Sequence, residues 1–160
     1  MKILRKTVII TMITGLCLSL FGCTKKEKNL EQSLPELMRA LYQGAGINED
    51  EIMLLEDIEV TDETLSYYLG VDKLDYKEAL ASESMVGSLA HSIVLVRMNE
   101  GADIEAAKKE IKEKVDPRKW ICVEVEDSNV IVDSYGDVIV LIMNNEYAKD
   151  LQDSFQKLGE

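Results

Sequence analysis

The sequence predicts a single α+β domain with a mainly antiparallel sheet of about four to five strands and helices packed on one face. Strand-like runs rich in β-branched or alternating residues follow one another with short connections, as at 92–98, 129–133 and 138–143. Helical periodicity recurs between these runs, most clearly over 102–115. No internal repeat is visible in residues 33–160, so we expect one domain there.

The first predicted helix starts after Ser33 and ends at Gly44 and Gly46. Ser33 and Glu36 have the spacing of a capping box, and Pro35 lies in the first turn, where its missing N–H is tolerated. The apolar face of this helix repeats at i, i+3, i+4 and i+7 and consists of Leu34, Leu37, Met38 and Leu41.

The following segments are shorter. The acid-rich residues 48–57 are predicted to be irregular or a short strand, and 61–70 a second helix. Residues 75–82 are then predicted as a strand and 84–88 as a polar turn. Residues 92–98 are apolar on both faces, which predicts a central strand.

The C-terminal half alternates helix and strand. Residues 102–115 carry an apolar stripe with Glu–Lys pairs four residues apart, which predicts a helix that ends before Pro117. The remaining predicted elements are strands at 120–126, 129–133 and 138–143 and an amphipathic helix at 147–158.

Residues 1–22 have the pattern of a secretory signal peptide. Lys2, Arg5 and Lys6 precede an uncharged run that ends at Phe21. This run is shorter than the roughly 20 apolar residues that a membrane-spanning helix needs.

The end of this run, Leu20-Phe-Gly-Cys23, resembles the lipobox of bacterial lipoproteins. Leu20 and Gly22 match the positions that signal recognition requires, whereas Phe21 departs from the small or β-branched residue that the pattern prefers. The resemblance implies that Cys23 receives a diacylglycerol through a thioether and that residues 1–22 are removed. It also implies a location on the extracytoplasmic face of the cell membrane. The alternative is an uncleaved signal anchor, which would hold the domain on the same side.

The processed chain is strongly acidic. Removal of residues 1–22 takes away three of the 18 basic residues and none of the 30 acidic ones, which leaves a formal charge of −15. Such a chain repels phosphate backbones, so we expect no nucleic-acid partner.

Residues 23–32 are predicted to be the lipidated cysteine and a tether. Cys17 is removed with residues 1–22 and Cys23 is modified. Cys122 is therefore left without an intramolecular disulfide partner and is predicted to be a small buried hydrophobic residue.

Two stretches of the domain resemble a known family. One is 61–72, and the other is 90–103, which leads into the Glu/Lys helix and the strands at 130–133 and 138–143. They are similar to a family of Firmicute lipoproteins catalogued only as a domain of unknown function. The resemblance covers most of the chain after the tether. It implies the α+β fold and a surface location, and it transfers no catalytic residues because the family has none assigned.

His91, the one histidine, is a candidate base for a hydrolase, with Ser88 and Ser92 as the nearby nucleophiles. The competing interpretation is a structural or surface role. One histidine and Cys122 supply too few nitrogen and sulfur ligands for zinc, so we predict no metal and no cofactor.

An acidic group is spread across the predicted C-terminal hairpin. It lacks the spacing of a calcium loop, which favours a solvated acidic rim over a weak calcium contact. Its members are Asp127, Asn129, Asp133 and Asp137.

The segment Asp116-Pro-Arg-Lys-Trp120 has two interpretations. Arg118 and Lys119 suit a helix C-terminus, with Trp120 packing against the helix. Alternatively, Arg118, Lys119 and Trp120 form a cationic-aromatic ligand patch that holds a carboxylate or a glycan.

Together these patterns favour a membrane-anchored lipoprotein that acts as a non-catalytic interaction module on an envelope protein partner. The sequence has no glycine-rich phosphate loop and no nucleophile elbow, so we do not expect an enzyme. One alternative is a small-ligand binder that uses the sheet face or the Trp120 region. The other is a hydrolase that uses His91.

Overall fold

A computed structural model describes residues 28–159 of the chain. The predictions for the signal peptide, the lipobox and Cys23 lie outside the described residues. In chain order the elements are α1 (Leu34–Gly44), α2 (Glu49–Ile52), β1 (Leu55–Glu59), α3 (Leu65–Leu69), β2 (Tyr76–Ser84), β3 (His91–Met98), α4 (Ile104–Lys114), a 3₁₀ turn (Asp127–Asn129), β4 (Val130–Tyr135), β5 (Val138–Asn144) and α5 (Ala148–Lys157).

The five strands form one antiparallel sheet in the order β1-β2-β3-β5-β4. Every residue of β3 and β5 is buried, and Ile93 lies opposite Ile142 in the pair. The predicted α+β class and the antiparallel sheet are confirmed, and β3 has the predicted central position. Between residues 28 and 159, no helix is both long enough and apolar enough to cross a bilayer.

Helices pack on both faces of the sheet, whereas the sequence suggested one face. α3 and α4 cover the face that carries Val94 and Val96, which we call the α4 face. α1 and α5 cover the face that carries Ile93 and Leu95, which we call the α1 face. The physical reason lies in the central strands, whose side chains are apolar on both sides, so that both faces must be removed from water.

The helix α1 begins as predicted and meets α5 at short range. Glu36 Oε2 accepts the Ser33 N–H at 3.0 Å and the Ser33 hydroxyl at 2.7 Å, and these bonds lower the pKa of Glu36. A Cβ on Gly44 would overlap Ser154 Oγ, so a side chain at this helix crossing would displace the Ser154 hydroxyl. The Ser154 hydroxyl donates to the Leu41 carbonyl at 2.8 Å, which satisfies a buried polar group.

On the other face, α3 ends at Gly70 next to the end of α4. Gly70 has φ +71°, and a Cβ there would lie 2.3 Å from the Lys114 carbonyl oxygen. Both the left-handed backbone and the close approach require glycine. The α4 residues Ala107 and Ile111 are buried against the sheet.

Two segments differ from their predictions. Residues 120–126 form no strand, and Cys122 has φ 66° and is exposed rather than buried. Trp120 and Val125 pack against the α4-face core, whereas Ile121, Cys122 and Glu124 are exposed. Residues 48–57, predicted to be irregular or a short strand, contain the start of the strand β1, which agrees with the second of these predictions, and the helix α2, which was not predicted.

Candidate functional site

A buried ion pair lies where β2 ends and β3 begins. Lys119, from the segment between α4 and β4, places Nζ 2.6 Å from Glu83 Oε1 and 3.1 Å from Ser92 Oγ. The Ser92 hydroxyl donates to the same Glu83 oxygen. The side chains of Lys119 and Glu83 are only 4% and 10% exposed, so water screens this pair little.

Three aromatic rings surround the Lys119 ammonium group. Nζ lies 4.8 Å from the ring centroid of Tyr67, 5.1 Å from that of Tyr68 and 5.2 Å from that of Trp120. The two tyrosine rings meet edge to face, with their centroids 4.9 Å apart. These distances are within the range of favourable cation–π contacts. We call Tyr67, Tyr68, Trp120 and Glu83 the lysine cage.

The lysine cage determines what this cluster can do chemically. Burial lowers the pKa of Lys119, and the charge of Glu83 opposes that effect. Glu83 accepts hydrogen bonds from both Lys119 and Ser92, and Ser92 is fully buried. A substrate therefore has no path to the Ser92 hydroxyl in this arrangement. The cluster fastens the segment 116–126 to the sheet.

His91 lies on the α1 face, whereas its neighbour Ser92 lies on the α4 face. The Nε2 of His91 is 2.9 Å from the Tyr42 hydroxyl oxygen, and Nδ1 is 2.9 Å from Asn144 Nδ2. The Oδ1 of Asn144 accepts the N–H of Tyr147, which fixes the amide so that Nδ2 donates to the ring. The proton of the imidazole is therefore on Nε2, and Tyr42 accepts it.

Burial and, to a lesser extent, the charge of Lys119 lower the pKa of His91 to about 4. The imidazole is therefore neutral at pH 7, with both nitrogens engaged in the core. Ser92 is on the other face and Ser88 is exposed in the β2–β3 turn, so the two predicted nucleophiles do not converge on His91. This geometry fits the structural interpretation of His91.

Of the predicted ligand patch, the structure brings Lys119 and Trp120 into contact, whereas the Arg118 guanidinium group is engaged elsewhere. Arg118 is exposed, and its Nε lies 2.7 Å from Glu124 Oε2. Lys119 points into its cage, and Trp120 is half-buried against the α4-face core. A cavity of about 350 Å³ adjoins Arg118 and Trp120 without Lys119. The sheet faces, predicted as an alternative ligand surface, are both covered by helices.

The acidic group of the C-terminal hairpin is dispersed. Asp137 Oδ2 lies 3.3 Å from Arg97 Nη1, and Asp133 Oδ2 accepts a hydrogen bond from Gln152 at 2.8 Å. Asn129 is at the other end of β4, where its amide donates to Asn145. Across residues 28–159, no three His, Cys, Asp or Glu side chains are grouped so that they could hold a metal ion.

Large exposed hydrophobic residues gather at the end of the sheet that holds the lysine cage. The Leu54 carbonyl accepts the Met85 N–H at 2.9 Å, which joins the segment before β1 to the β2–β3 turn. Tyr67 contacts Lys119, and Ile121 follows Lys119 by two residues. Every large hydrophobic residue that is exposed in the described part of the chain belongs to this set, which we call the apolar end: Met53, Leu54, Tyr67, Met85, Val86, Leu89 and Ile121.

The apolar end is not among the sites that the sequence analysis singles out. Residues 84–88 are predicted as a polar turn. That prediction does not indicate that the apolar residues Met85 and Val86 are exposed there. The available signal is a pair of large apolar residues within a Ser- and Gly-rich connection, where burial is uncommon. For Tyr67 the signal is its position outside the apolar stripe that Leu65, Tyr68 and Leu69 form on α3.

Arg97 fastens the N-terminal segment to the opposite end of the sheet. Its Nη1 donates to the Leu30 carbonyl at 2.5 Å, and its Nη2 donates to the Gln32 carbonyl at 2.6 Å. The guanidinium group also pairs with Glu78, with Nε 2.8 Å from Oε1. Leu30 is buried, so the predicted tether is fixed to the domain by residue 30. We call this the tether end.

Comparison of the chain with protein-family models, with curated proteins and with solved structures gives no match. The functional interpretation therefore depends on the geometry of the two ends of the sheet.

Proposed function

We propose that this chain is a lipoprotein anchored through Cys23 to the extracytoplasmic face of the cell membrane, and that it acts as a non-catalytic interaction module. One observation carries this proposal. The N-terminal segment is fastened at one end of the sheet, and the exposed apolar residues gather at the other end.

The position of the lipobox supports the membrane anchor. Cys23 precedes the fixed residue Leu30 by seven residues, and such a segment spans at most about 25 Å when fully extended. The β3 strand runs from the apolar end to the tether end over about 24 Å. An anchor at Cys23 would therefore join the membrane to the tether end, the end of the sheet opposite the apolar end.

The exposure of the apolar end supports an interaction role. Soluble proteins rarely expose several large hydrophobic residues together unless they bind something there. Ile121 is 80% exposed and Met53 is 72% exposed, although both could have been polar without loss of core packing. The contacts of Lys119 with the lysine cage hold the segment 116–126, which carries Ile121, in place on the sheet.

The anchor is tested in cells by lipid labelling and membrane fractionation of Cys23→Ala, with Cys17→Ala as the matched control. We expect Cys17→Ala to retain its lipid and stay with the membrane. Cys23→Ala should lose the label and either be released or remain as an uncleaved precursor. Continued lipid labelling of Cys23→Ala would contradict the proposal.

The interaction role is tested with a photo-crosslinking amino acid placed at Ile121 in the apolar end. The matched control is Glu100, which is exposed in the turn after β3 at the tether end. We expect protein adducts from position 121 and few from position 100. Equal adducts from both positions would show that the apolar end has no special role.

A further inference from the structure

We infer that the apolar end binds a protein segment whose apolar side chains are flanked by lysine or arginine. This inference rests on the proposed function and specifies the chemistry of the partner. It is drawn from the distribution of charge around the exposed hydrophobic residues.

Acidic side chains border the apolar end. Residues 49–57 contain five acidic residues and no basic one, and they include Met53 and Leu54. Glu49, Asp50, Glu56 and Asp57 are exposed. None of these four forms an ion pair with another residue between 28 and 159. Their charge is therefore available to a partner.

The cations at this end are already neutralised. Lys119 is buried against Glu83, and Arg118 is paired with Glu124. The surface around the apolar end is therefore negative, and a complementary partner is positive at its rim and apolar at its centre. The exposed Met53 and Met85 have flexible side chains that adapt to such a segment.

The same charges disfavour two other occupants. An anionic bilayer repels acidic side chains, and the proposed anchor would attach at the end of the sheet opposite the apolar end. A second copy of this chain would bring Glu56 and Asp57 close to the same acids of its partner, which costs energy through like-charge repulsion. Neither of these repulsions opposes the binding of a basic protein segment.

The test is photo-crosslinking in cells of the full lipidated chain, with the probe at Ile121 and, separately, at Met85. The crosslinked peptides are then identified by mass spectrometry. We expect segments in which apolar residues alternate with or are flanked by several lysines or arginines. Adducts with acidic or uncharged segments, with lipid, or with a second copy of this chain would overturn the inference.

A charge variant sharpens the test. We expect Glu56→Lys to reduce the adduct yield from position 121 about fivefold, because it replaces one attractive contact with the basic rim by a repulsive one. Glu100→Lys at the tether end makes the same change in net charge and should leave the yield unaltered. Equal effects of the two variants would show that only net charge matters and would overturn the inference.

The two proposals fail in different ways. A captured partner with an acidic contact segment would overturn this inference and leave the interaction module standing. Lipid labelling that persists in Cys23→Ala would overturn the anchor, whatever the charge of the captured segment. The absence of protein adducts at both Ile121 and Met85 would overturn the inference and the interaction role together.

Discussion

The Nζ of Lys119 and the Oε1 of Glu83 are 2.6 Å apart inside the protein, although the residues are 36 positions apart in the chain. Glu83 precedes Met85 by two residues, and Lys119 precedes Ile121 by two. The ion pair therefore joins two separate parts of the apolar end. Its removal should affect both the stability of the domain and the shape of that surface.

We expect Lys119→Met to lower the free energy of unfolding by about 3 kcal/mol, because it leaves the Glu83 carboxylate buried without its cation. Urea denaturation at pH 7.5 measures this loss. The double variant Glu83→Gln/Lys119→Met should recover part of it, since no charge is then left in the core. Arg118→Met, which breaks an exposed ion pair, should change stability little. If the double variant were less stable than Lys119→Met, the buried charge would not be the cause.

The stability of the protein should depend on pH through His91. Its pKa in the folded state, about 4, lies below the ordinary histidine value of 6.5, so the unfolded chain binds more protons between these values. Stability is therefore full above about pH 6.5 and falls as the pH decreases toward 4. Between pH 7.5 and pH 5 we expect a loss of about 2 kcal/mol from this residue.

Urea denaturation of wild type and His91→Gln at both pH values isolates that contribution. The variant lacks the titrating imidazole, so its loss between the two pH values should be smaller by about 2 kcal/mol. An equal loss in both proteins would show that other groups cause the pH dependence.

Three glycine variants separate backbone strain from steric overlap. Gly87→Ala should be nearly neutral, because its Cβ meets nothing within 4 Å and its φ is not in the left-handed region. Gly46→Ala has the same free space but φ +73°, so it should cost about 1 kcal/mol. Gly70→Ala adds overlap with the Lys114 backbone and should cost clearly more. Thermal denaturation gives the order, and a cost for Gly70→Ala no greater than that for Gly46→Ala would contradict the close approach.

Arg97→Lys should loosen the N-terminal segment. Lysine retains the charge but cannot bond the Leu30 and Gln32 carbonyls and Glu78 at the same time. We expect amide exchange in residues 28–33 to become at least about tenfold faster, because two charge-assisted hydrogen bonds are lost. Hydrogen-exchange mass spectrometry measures this. Arg39→Lys, an exposed change on α1, is the control, and equal protection in both variants would contradict the role of Arg97.

The elements that depend on residues close together in the chain agree with those predicted from the sequence. The capping residues Ser33 and Glu36 and the β-branched run of β3 act over a few positions, so the first helix and the central strand could be predicted. The placement of helices on two faces depends on contacts between distant elements. A pattern that is apolar at every position does not show which helix covers which side.

The candidate site could be predicted from the sequence less fully than the fold, because its contacts join residues that are far apart in the chain. The sequence singles out the segment 116–120, which includes Lys119. The partners of Lys119 are Glu83, Tyr67 and Tyr68, which belong to other elements, and no sequence spacing connects them with it. Cys122 illustrates the same limit. Its apolar neighbours predicted a buried strand residue, whereas the anchoring of Lys119 and Trp120 leaves it on an exposed turn with positive φ.

The polar residues of β3 also determine the register in which this strand pairs with β2 and β5. Its middle is apolar at every position, so a slip by one residue would exchange the two faces with little change in hydrophobic burial. The same slip would send His91 away from Tyr42, Ser92 away from Glu83, and Arg97 to the face opposite the N-terminal segment. Each of these groups would then be buried beside apolar side chains. Three polar residues thus select one register for a strand whose hydrophobic residues alone would accept two.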